Sequence, residues 1–489
     1  MVALKNILPE LDDLPDVMVS GVNDDSRAIN SGDAFIAVAG DVSDGHDHAA
    51  AAVARGAAVV LAERPVADCA VPVVVVPELK RQRSAIAARM LDDPSRQLHL
   101  AGITGTNGKT SVAYYLAELA GGLGHACGYL GTIGWGLPED LQQGVLTTDS
   151  AINTQQRLRS LLDLGARWVA MEVSSHALDQ DRVAAVQFDV GVFTNLSRDH
   201  LDYHGSLEAY GAAKARLFEM VPAAVINSDD EFGARLIEMT SAADVLSYGR
   251  QGDVRWRDLV FHDRGVSGVW HTPWGSAQFT LPLFGEIAVA NLSAVLTVLC
   301  LAGESLDAVV ELAGGIKPVP GRVEFFRGPA DQPTANVVVD YAHTPDALEK
   351  VLLTLRPHVS GRLICVIGCG GDRDAGKRPM MAAAAEAGAD LVWLTSDNPR
   401  GEDPQSIIGD MTRGLRGTGD VRQCVDRREA IIAAFAETAA DDLLLVAGKG
   451  HEDYQEVAGQ RLPFSDRELV RDLLSTSSGP QSSTQEAHC

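Results

Sequence analysis

Apolar runs punctuate this chain, and most carry no polar alternation. "HLAGIT", "RWVAMEVS", "FDVGVFTNL" and "AAVINSDD" follow one another between residues 99 and 230, with helical patterns between them. Farther on, "NVVVDYAH", "RLICVIGCGG", "DLVWLTSDNPR" and "DLLLVAGKG" repeat the arrangement, interleaved with helices such as "DRREAIIAAFAET". Continuous apolar strands separated by helices are the mark of parallel sheets covered on both faces. The predicted class is therefore α/β. Polar and glycine clusters fall just after the strands, where open α/β sheets bind ligands.

The pattern divides the chain into blocks. Residues 1–98 read as a small α/β unit that includes the strand "VPVVVVP" and the helix "ELKRQRSAIAARML". Residues 99–321 form a second block, whose later part, "WRDLVFHDRGVSGVWHTPWGSAQFTLPL", looks antiparallel. The Gly/Pro-rich "GGIKPVPGR" marks a linker. Residues 322–475 make a third, doubly wound unit, and the polar stretch 476–489 reads as a disordered tail. A length of 489 residues is too great for one hydrophobic core, which agrees with three domains.

Composition narrows the partners. A net charge of −25 argues against nucleic acid and anionic membrane, so positive charge for an anionic ligand must be concentrated locally. No apolar run reaches ~18 residues, the length of a membrane span, and the N-terminus carries no signal-peptide pattern. The seven cysteines are scattered, as in a protein of the reducing cytoplasm.

The strongest motif is Gly105-Thr106-Asn107-Gly108-Lys109-Thr110, between an apolar strand and a helix. Strict P-loop spacing would require a glycine at Ile103, so this is a variant. Backbone N–H groups in such a turn bind phosphate oxygens, the lysine adds a point charge, and the Thr110 hydroxyl suits Mg²⁺. Glu172 ends a strand at the same sheet edge, as a metal ligand or a buried structural acid. In "TNLSRDHLDYH", His200 or His204 could add an imidazole, although each taken singly reads as a hydrogen-bonded structural residue. Leu207, Tyr210, Leu217 and Phe218 mark one helical face on which Lys214 also falls. That lysine is expected to be paired, neutralised or chemically modified, or else to snorkel to solvent. In the third block, "GCGGDRDAGKRP", "TSDNPRGEDP" and "AGKGHEDYQ" supply Arg373 and Arg400 as guanidinium forks for carboxylates and Glu452 as a partner for an ammonium.

These motifs together resemble the Mur ligases, ATP-dependent enzymes that form the amide bonds of the peptidoglycan peptide. The likeness runs from "DDSRAI" to "FSDRE", and within the family it is to the branch that adds meso-diaminopimelate. It implies an N-terminal UDP-sugar domain, a central P-loop-type mononucleotide domain with a mainly parallel sheet, and a Rossmann-like C-terminal domain. It implies ATP phosphates held by Gly105 to Ser111, with Asn291, Arg322, Asp340 and His343 also at the nucleotide. Mg²⁺ is expected near Thr110, Glu172, His200 and a Lys214 carbamylated by CO₂. Asp24, Ser26, Asp41, Val42 and Ser43 match contacts to the uridine nucleotide sugar; Thr147, Thr148, Ser174, Gln180 and Arg182 match contacts to the muramoyl dipeptide. Arg373, Asp397, Asn398, Pro399, Arg400, Gly448 and Glu452 match the diaminopimelate site. Two departures stand out: "GEIAVAN" lacks the family's first asparagine, and "TTDS" replaces a proline or glycine.

The implied reaction phosphorylates the D-glutamate γ-carboxylate of UDP-N-acetylmuramoyl-L-alanyl-D-glutamate, with Lys109, Lys214, His200 and Arg322 as the catalytic group. The diaminopimelate amine then attacks the acyl phosphate. A cytoplasmic monomer acting only on small molecules is expected. The alternatives are the lysine-adding sister ligase, a folylpolyglutamate synthetase, and a non-catalytic nucleotide-binding regulator.

Overall fold

The computed structural model describes residues 1–40, 43–144, 146–328 and 336–476. Asp41, Val42 and residues 477–489 of the expected tail lie outside the described residues, whereas Thr476 closes the helix Asp466–Thr476. By contacts between residues the chain separates into two compact units. The first comprises Met1–Arg255, Thr272–Trp274 and Ser293–Val309; the second comprises Trp256–His271, Gly275–Leu292 and the chain from Val310 onward.

The first block forms its own parallel sheet of Val22–Asn23, Ala34–Ala37, Val59–Ala62 and Val73–Val75, in sequential order. Its two central strands, Ala34–Ala37 and Val59–Ala62, are apolar throughout because both of their faces are covered. Ala34, Ile36, Val59 and Leu61 face one core, while Phe35, Ala37, Val60 and Ala62 face the other. This alternation is the period of two of an extended chain. The helix Leu79–Met90 covers the first core and packs on the helix Ala151–Asp163, whose Ile152 joins that core. Ser84 on the former accepts hydrogen bonds from Ala185 N and Gln155 Nε2, at 3.1 and 3.4 Å. These contacts make the first block and the central sheet one compact unit.

At the centre of the eight-stranded sheet runs β1 (His99–Thr104), followed by α1 (Lys109–Gly122). Strands β2 (Trp168–Glu172) and β3 (Val190–Phe193) flank β1 on either side, both parallel to it. Cys127–Gly131 lies beyond β2, with Gly134–Leu137 and Asp140–Gln142 added antiparallel at that edge. Ala223–Asn227 and Asp244–Tyr248 extend the other side in parallel. The register pairs Glu172 with Ile103 and Phe193 with Thr104. The carboxyl ends of β2 and β3 therefore stand on either side of the glycine loop that leaves β1. Helix α2 (Leu207–Ala215) follows β3 and continues as a 3₁₀ turn, Arg216–Glu219.

Arg255–His262, Gly265–Thr272 and Gly275–Leu281 form a three-stranded sheet in sequential order. The second unit's main sheet contains β4 (Asn336–Asp340), β5 (Leu363–Cys369), β6 (Leu391–Ser396) and β7 (Leu443–Ala447). The spatial order is Glu324–Phe326, β4, β7, β5, β6, Asp420–Gln423, parallel except for the first strand. Alternate residues again serve two cores: Leu363, Cys365 and Ile367 face one, and Ile364 and Val366 the other. This is the doubly wound arrangement, and its ligand-binding edge lies beyond the carboxyl ends of the strands. Among the described residues no helix is long and apolar enough to cross a membrane.

Candidate functional site

In the first unit the site begins where β1 ends. Gly105 has φ +149, and a Cβ there would lie 1.8 Å from Thr194 Oγ1, so only glycine fits. Thr194 donates to Asn107 O at 2.6 Å, and Asn195 Oδ1 accepts from Asn107 N at 3.0 Å. Thr106 N donates to Asn195 O at 2.8 Å, and Thr106 Oγ1 accepts from Ser197 N at 3.0 Å. The polar start of "TNLSRDH" thus fixes the glycine loop. Thr194 and Asn195 carry no signal of this role in the sequence, where polar residues after an apolar strand look like an ordinary loop. Lys109 Nζ folds back to donate to Gly105 O and Thr106 O, both at 2.9 Å.

Glu172 is fully buried and its carboxylate accepts four hydrogen bonds. The donors are Tyr129 OH at 2.6 Å, Thr132 N at 2.9 Å, Thr110 Oγ1 at 3.1 Å and Thr132 Oγ1 at 3.2 Å. Tyr129 and Thr132 were not singled out from the sequence; an isolated tyrosine on an apolar strand gives no signal. Mg²⁺ takes oxygen ligands, and in nucleotide sites it is held by one or two carboxylates together with substrate phosphates. The Glu172 carboxylate beside the Thr110 hydroxyl fits that requirement. Among the described residues no three His, Cys, Asp or Glu side chains stand together so as to hold a metal unaided.

Lys214 is buried, which excludes the snorkelling alternative. Its Nζ donates to Gly105 O at 2.7 Å and lies 4.2 Å from the centre of the Tyr210 ring. Burial, with the Lys109 charge nearby, holds this ammonium well below the usual lysine range, against a weaker pull from Asp199. Tyr210, Leu217 and Phe218 are buried as expected, the last two on the 3₁₀ turn that follows α2. Leu207 is exposed instead, because it opens the helix. His200 sits in the left-handed region at φ 52, with its ring 4.9 Å from His176 and 6.0 Å from Tyr210. It shares no hydrogen bond or ion pair with Glu172. His204 bonds to Ser175 Oγ at 3.0 Å through Nε2, the structural role open to it.

The residues matched to the muramoyl dipeptide form one network. Thr148 Oγ1 donates to Glu172 O at 2.9 Å and accepts from Ser174 N at 3.0 Å. Arg182 donates to Thr148 O at 3.0 Å and to Gln180 Oε1 at 2.9 Å, while Thr147 meets Thr132 at 3.1 Å. Gln180 lines a cleft of about 840 Å³, bounded also by Val38, Gly40, Arg81 and Tyr203. Of the expected uridine residues, Asp24 is paired with Arg83 at 3.1 Å, and Ser43 bonds to His48 at 2.7 Å. Ser26 opens a short 3₁₀ helix.

In the second unit, Arg322 lies 4.8 Å from the Tyr341 ring centre, and its buried Nε has no hydrogen-bond partner. Asp340 is buried and accepts from Val323 N and Ala342 N, both at 2.7 Å. Burial pushes its carboxyl up, against the lowering effect of Arg322. His343 bonds to Tyr341 O at 2.9 Å, and Asn291 is buried in the helix Gly285–Leu301.

The loops after β6 and β7 meet. Asn398 Nδ2 donates to Glu452 at 3.0 Å, and Asn398 Oδ1 accepts from Lys449 Nζ at 3.0 Å and Glu456 N at 2.9 Å. Gly448 has φ +117, and a Cβ there would stand 2.6 Å from Asp397 Oδ2. This glycine gives the carboxylate room. Arg400, also left-handed at φ 52, donates to Gly371 O at 2.8 Å and pairs with Glu456 at 3.2 Å. Arg373 is exposed in the loop after β5. Pro399 is buried between Asn398 and Arg400. The buried Lys449 stands at the hub of this cluster and gives no sequence signal, because "GKG" alone reads as a turn.

Sequence comparison defines the class. The chain matches the family models described as Mur ligase family, catalytic domain (residues 18–103), Mur ligase middle domain (103–299) and Mur ligase, glutamate ligase domain (321–450). It belongs to the Mur ligase family and is an ATP-dependent ligase. It is 49% identical over 462 residues to UDP-N-acetylmuramoyl-L-alanyl-D-glutamate--2,6-diaminopimelate ligase of Ectopseudomonas mendocina (strain ymp), covering 92% of this chain and 94% of that one. It is 46% identical over 483 residues to the enzyme of the same name from Pseudomonas aeruginosa, covering 96% and 98%. A solved structure of UDP-N-acetylmuramoyl-L-alanyl-D-glutamate--2,6-diaminopimelate ligase superposes with a TM-score of 0.75 at 37% identity, covering 98% of this chain and 100% of that chain.

Proposed function

We propose that this ligase joins meso-2,6-diaminopimelate to UDP-N-acetylmuramoyl-L-alanyl-D-glutamate, consuming ATP and passing through an acyl phosphate. The loop Gly105–Ser111 holds the ATP phosphates, with Asn291, Arg322, Asp340 and His343 also at the nucleotide. Lys109 and Arg322 neutralise charge on the transferred phosphoryl group, so that catalysis is largely electrostatic and positional. Glu172 and Thr110, with His200 and a carbamylated Lys214 around them, hold Mg²⁺, which supplies charge neutralisation at the phosphates. Lys214 suits carbamylation because a buried amine shifted toward its neutral form is the species that adds CO₂.

Residues 1–98 bind the uridine nucleotide sugar through Asp24, Ser26 and Ser43. Residues 99–321 bind ATP and, through Thr147, Thr148, Ser174, Gln180 and Arg182, the dipeptide. Residues 322–475 bind the amino acid. The same reading expects a cytoplasmic monomer.

The observation that carries the choice of an amino-acid acceptor is the joining of the Asp397–Arg400 loop to Glu452 through Asn398. Carboxylates for an ammonium and a guanidinium for a carboxylate converge there, which a mere nucleotide switch would not need. Diaminopimelate differs from lysine by a second carboxylate, for which Arg400 is the matched fork. The test supplies ATP, Mg²⁺ and the UDP-muramoyl dipeptide, varies the amine, and measures ADP release. Strong preference for meso-diaminopimelate is expected. Comparable kcat/KM for lysine would move the chain to the lysine-adding sister activity.

A further inference from the structure

The amino-acid cluster contains a buried charge that the matched residues do not account for. Lys449 is fully buried, two residues past the end of β7. Its Nζ lies 3.0 Å from Asn398 Oδ1, 3.2 Å from Glu452 Oε2 and 3.5 Å from Asp397 Oδ1. Asn398 returns a hydrogen bond to the same Glu452 oxygen at 3.0 Å. One ammonium thus gathers three of the residues that the proposed function gives to the amino acid.

The surrounding charges determine what this does. Arg427 is buried and paired with Asp466, with a contact of 2.7 Å, so that this pair adds no net charge, although the guanidinium also acts on Asp397 and Glu452. Arg400 is likewise matched with Glu456. Asp397, Glu452 and Lys449 remain, two anions against one cation, with side chains 10%, 19% and 0% exposed. Without Lys449 these two sheltered carboxylates would repel each other. With it, the cluster keeps one unbalanced negative charge and a fixed Glu452.

We propose that Lys449 is a positioning residue of the amino-acid site. Its ammonium clamps Asn398 and Glu452 and cancels one carboxylate, leaving a single negative charge that receives the distal ammonium of a diamino acid. Lys449 would thereby set selectivity for a substrate bearing a second amine, apart from the carboxylate selectivity carried by Arg400. This rests on the amino-acid reading of the cluster given above.

The test uses the full chain with ATP, Mg²⁺ and the UDP-muramoyl dipeptide, and measures ADP release with meso-diaminopimelate or with 2-aminopimelate, which lacks the distal amine. The unmodified protein is expected to favour diaminopimelate by about tenfold or more, the worth of a hydrogen bond to a charged group. Lys449→Gln should raise the KM for diaminopimelate on the order of tenfold and shrink that preference, with the KM for ATP within about twofold. Equal rises in both KM values, or a fall in kcat alone, would show a purely structural lysine and overturn the proposal. Should the single variant not fold, the double variant K449Q/E452Q leaves no unpaired Glu452 and is compared with E452Q. Acting through Glu452, Lys449 should add less than about threefold to the E452Q defect; a further tenfold loss would overturn the proposal. If the unmodified protein releases ADP with no amino acid at all, it is the amino-acid reading itself that fails.

Discussion

Lys109 and Lys214 donate to the same carbonyl oxygen, Gly105 O, at 2.9 and 2.7 Å. Two lysines on one acceptor is an uneasy arrangement, since each ammonium disfavours the charge of the other. Lys109 is partly buried and keeps a second acceptor in Thr106 O. Lys214 is buried, and its charge is the one suppressed. Conversion of Lys214 to an anion would relieve the conflict by replacing like charges with opposite ones.

Protein stripped of CO₂ is therefore expected to lose activity and to regain it on addition of bicarbonate. Lys214→Ala should lower kcat on the order of 100-fold or more, the size of effect seen when one preorganised electrostatic group is removed. Its fold should persist, since the replacement removes a buried polar group and gives up a single hydrogen bond to Gly105 O. Bicarbonate should not rescue it. A Lys214→Ala variant of full activity in the ADP-release assay would leave the lysine as a packing residue.

Glu172→Gln tests the proposed metal position. The carboxylate accepts from four donors, and an amide nitrogen in its place would face hydrogen-bond donors with another donor. A cost of about 1–3 kcal/mol in stability is expected, read from urea unfolding. Calorimetry should also show nucleotide binding that no longer strengthens with Mg²⁺. Unchanged Mg²⁺ dependence would place the metal elsewhere.

For Arg400, the structure adds a competitor to the expected fork. Its guanidinium is paired with Glu456, so a substrate carboxylate must share it with that acid. Arg400→Ala should raise the KM for diaminopimelate roughly 10- to 150-fold and narrow its advantage over lysine. Glu456→Gln should weaken lysine relative to diaminopimelate, because it frees the guanidinium for the second carboxylate. An Arg400→Ala enzyme with unaltered selectivity would assign carboxylate recognition to Arg373.

His451 gives a stability signature. Burial, then the Arg322 and Arg467 charges, bring its imidazole down to about 4. The unfolded chain, near 6.5, binds that proton more readily, so stability is full above about pH 6.5 and falls as the pH drops toward 4. The total lost is about 3 kcal/mol at most. His451→Gln should flatten that part of the stability–pH curve, measured as the difference between variant and parent in urea. A difference that does not vary with pH would mean the imidazole is accessible to protons in the folded state.

Much of the fold was legible because parallel strands buried on both faces carry continuous apolar runs, as in "LAGI" and "LICVIGC". The glycine turn after β1 was equally plain, since its glycines are required by local backbone geometry that the sequence carries directly. Lys214 could be singled out because a cation on an apolar helical face violates the expected pattern. Leu207 misled, because helical spacing does not show where the helix begins or which of its turns is covered.

The sequence by itself determined the strands, the glycine turn and the polar clusters that follow each strand, because these depend on neighbours along the chain. Only the tertiary structure decided which clusters meet. Asn195 supports Asn107 across 88 residues, and Lys449 reaches Asn398 across 51. Such pairings depend on the order of strands in a sheet, which local sequence does not encode. Burial decided the rest, since a lysine written the same way at 109, 214 and 449 differs chemically only by what the fold packs around it.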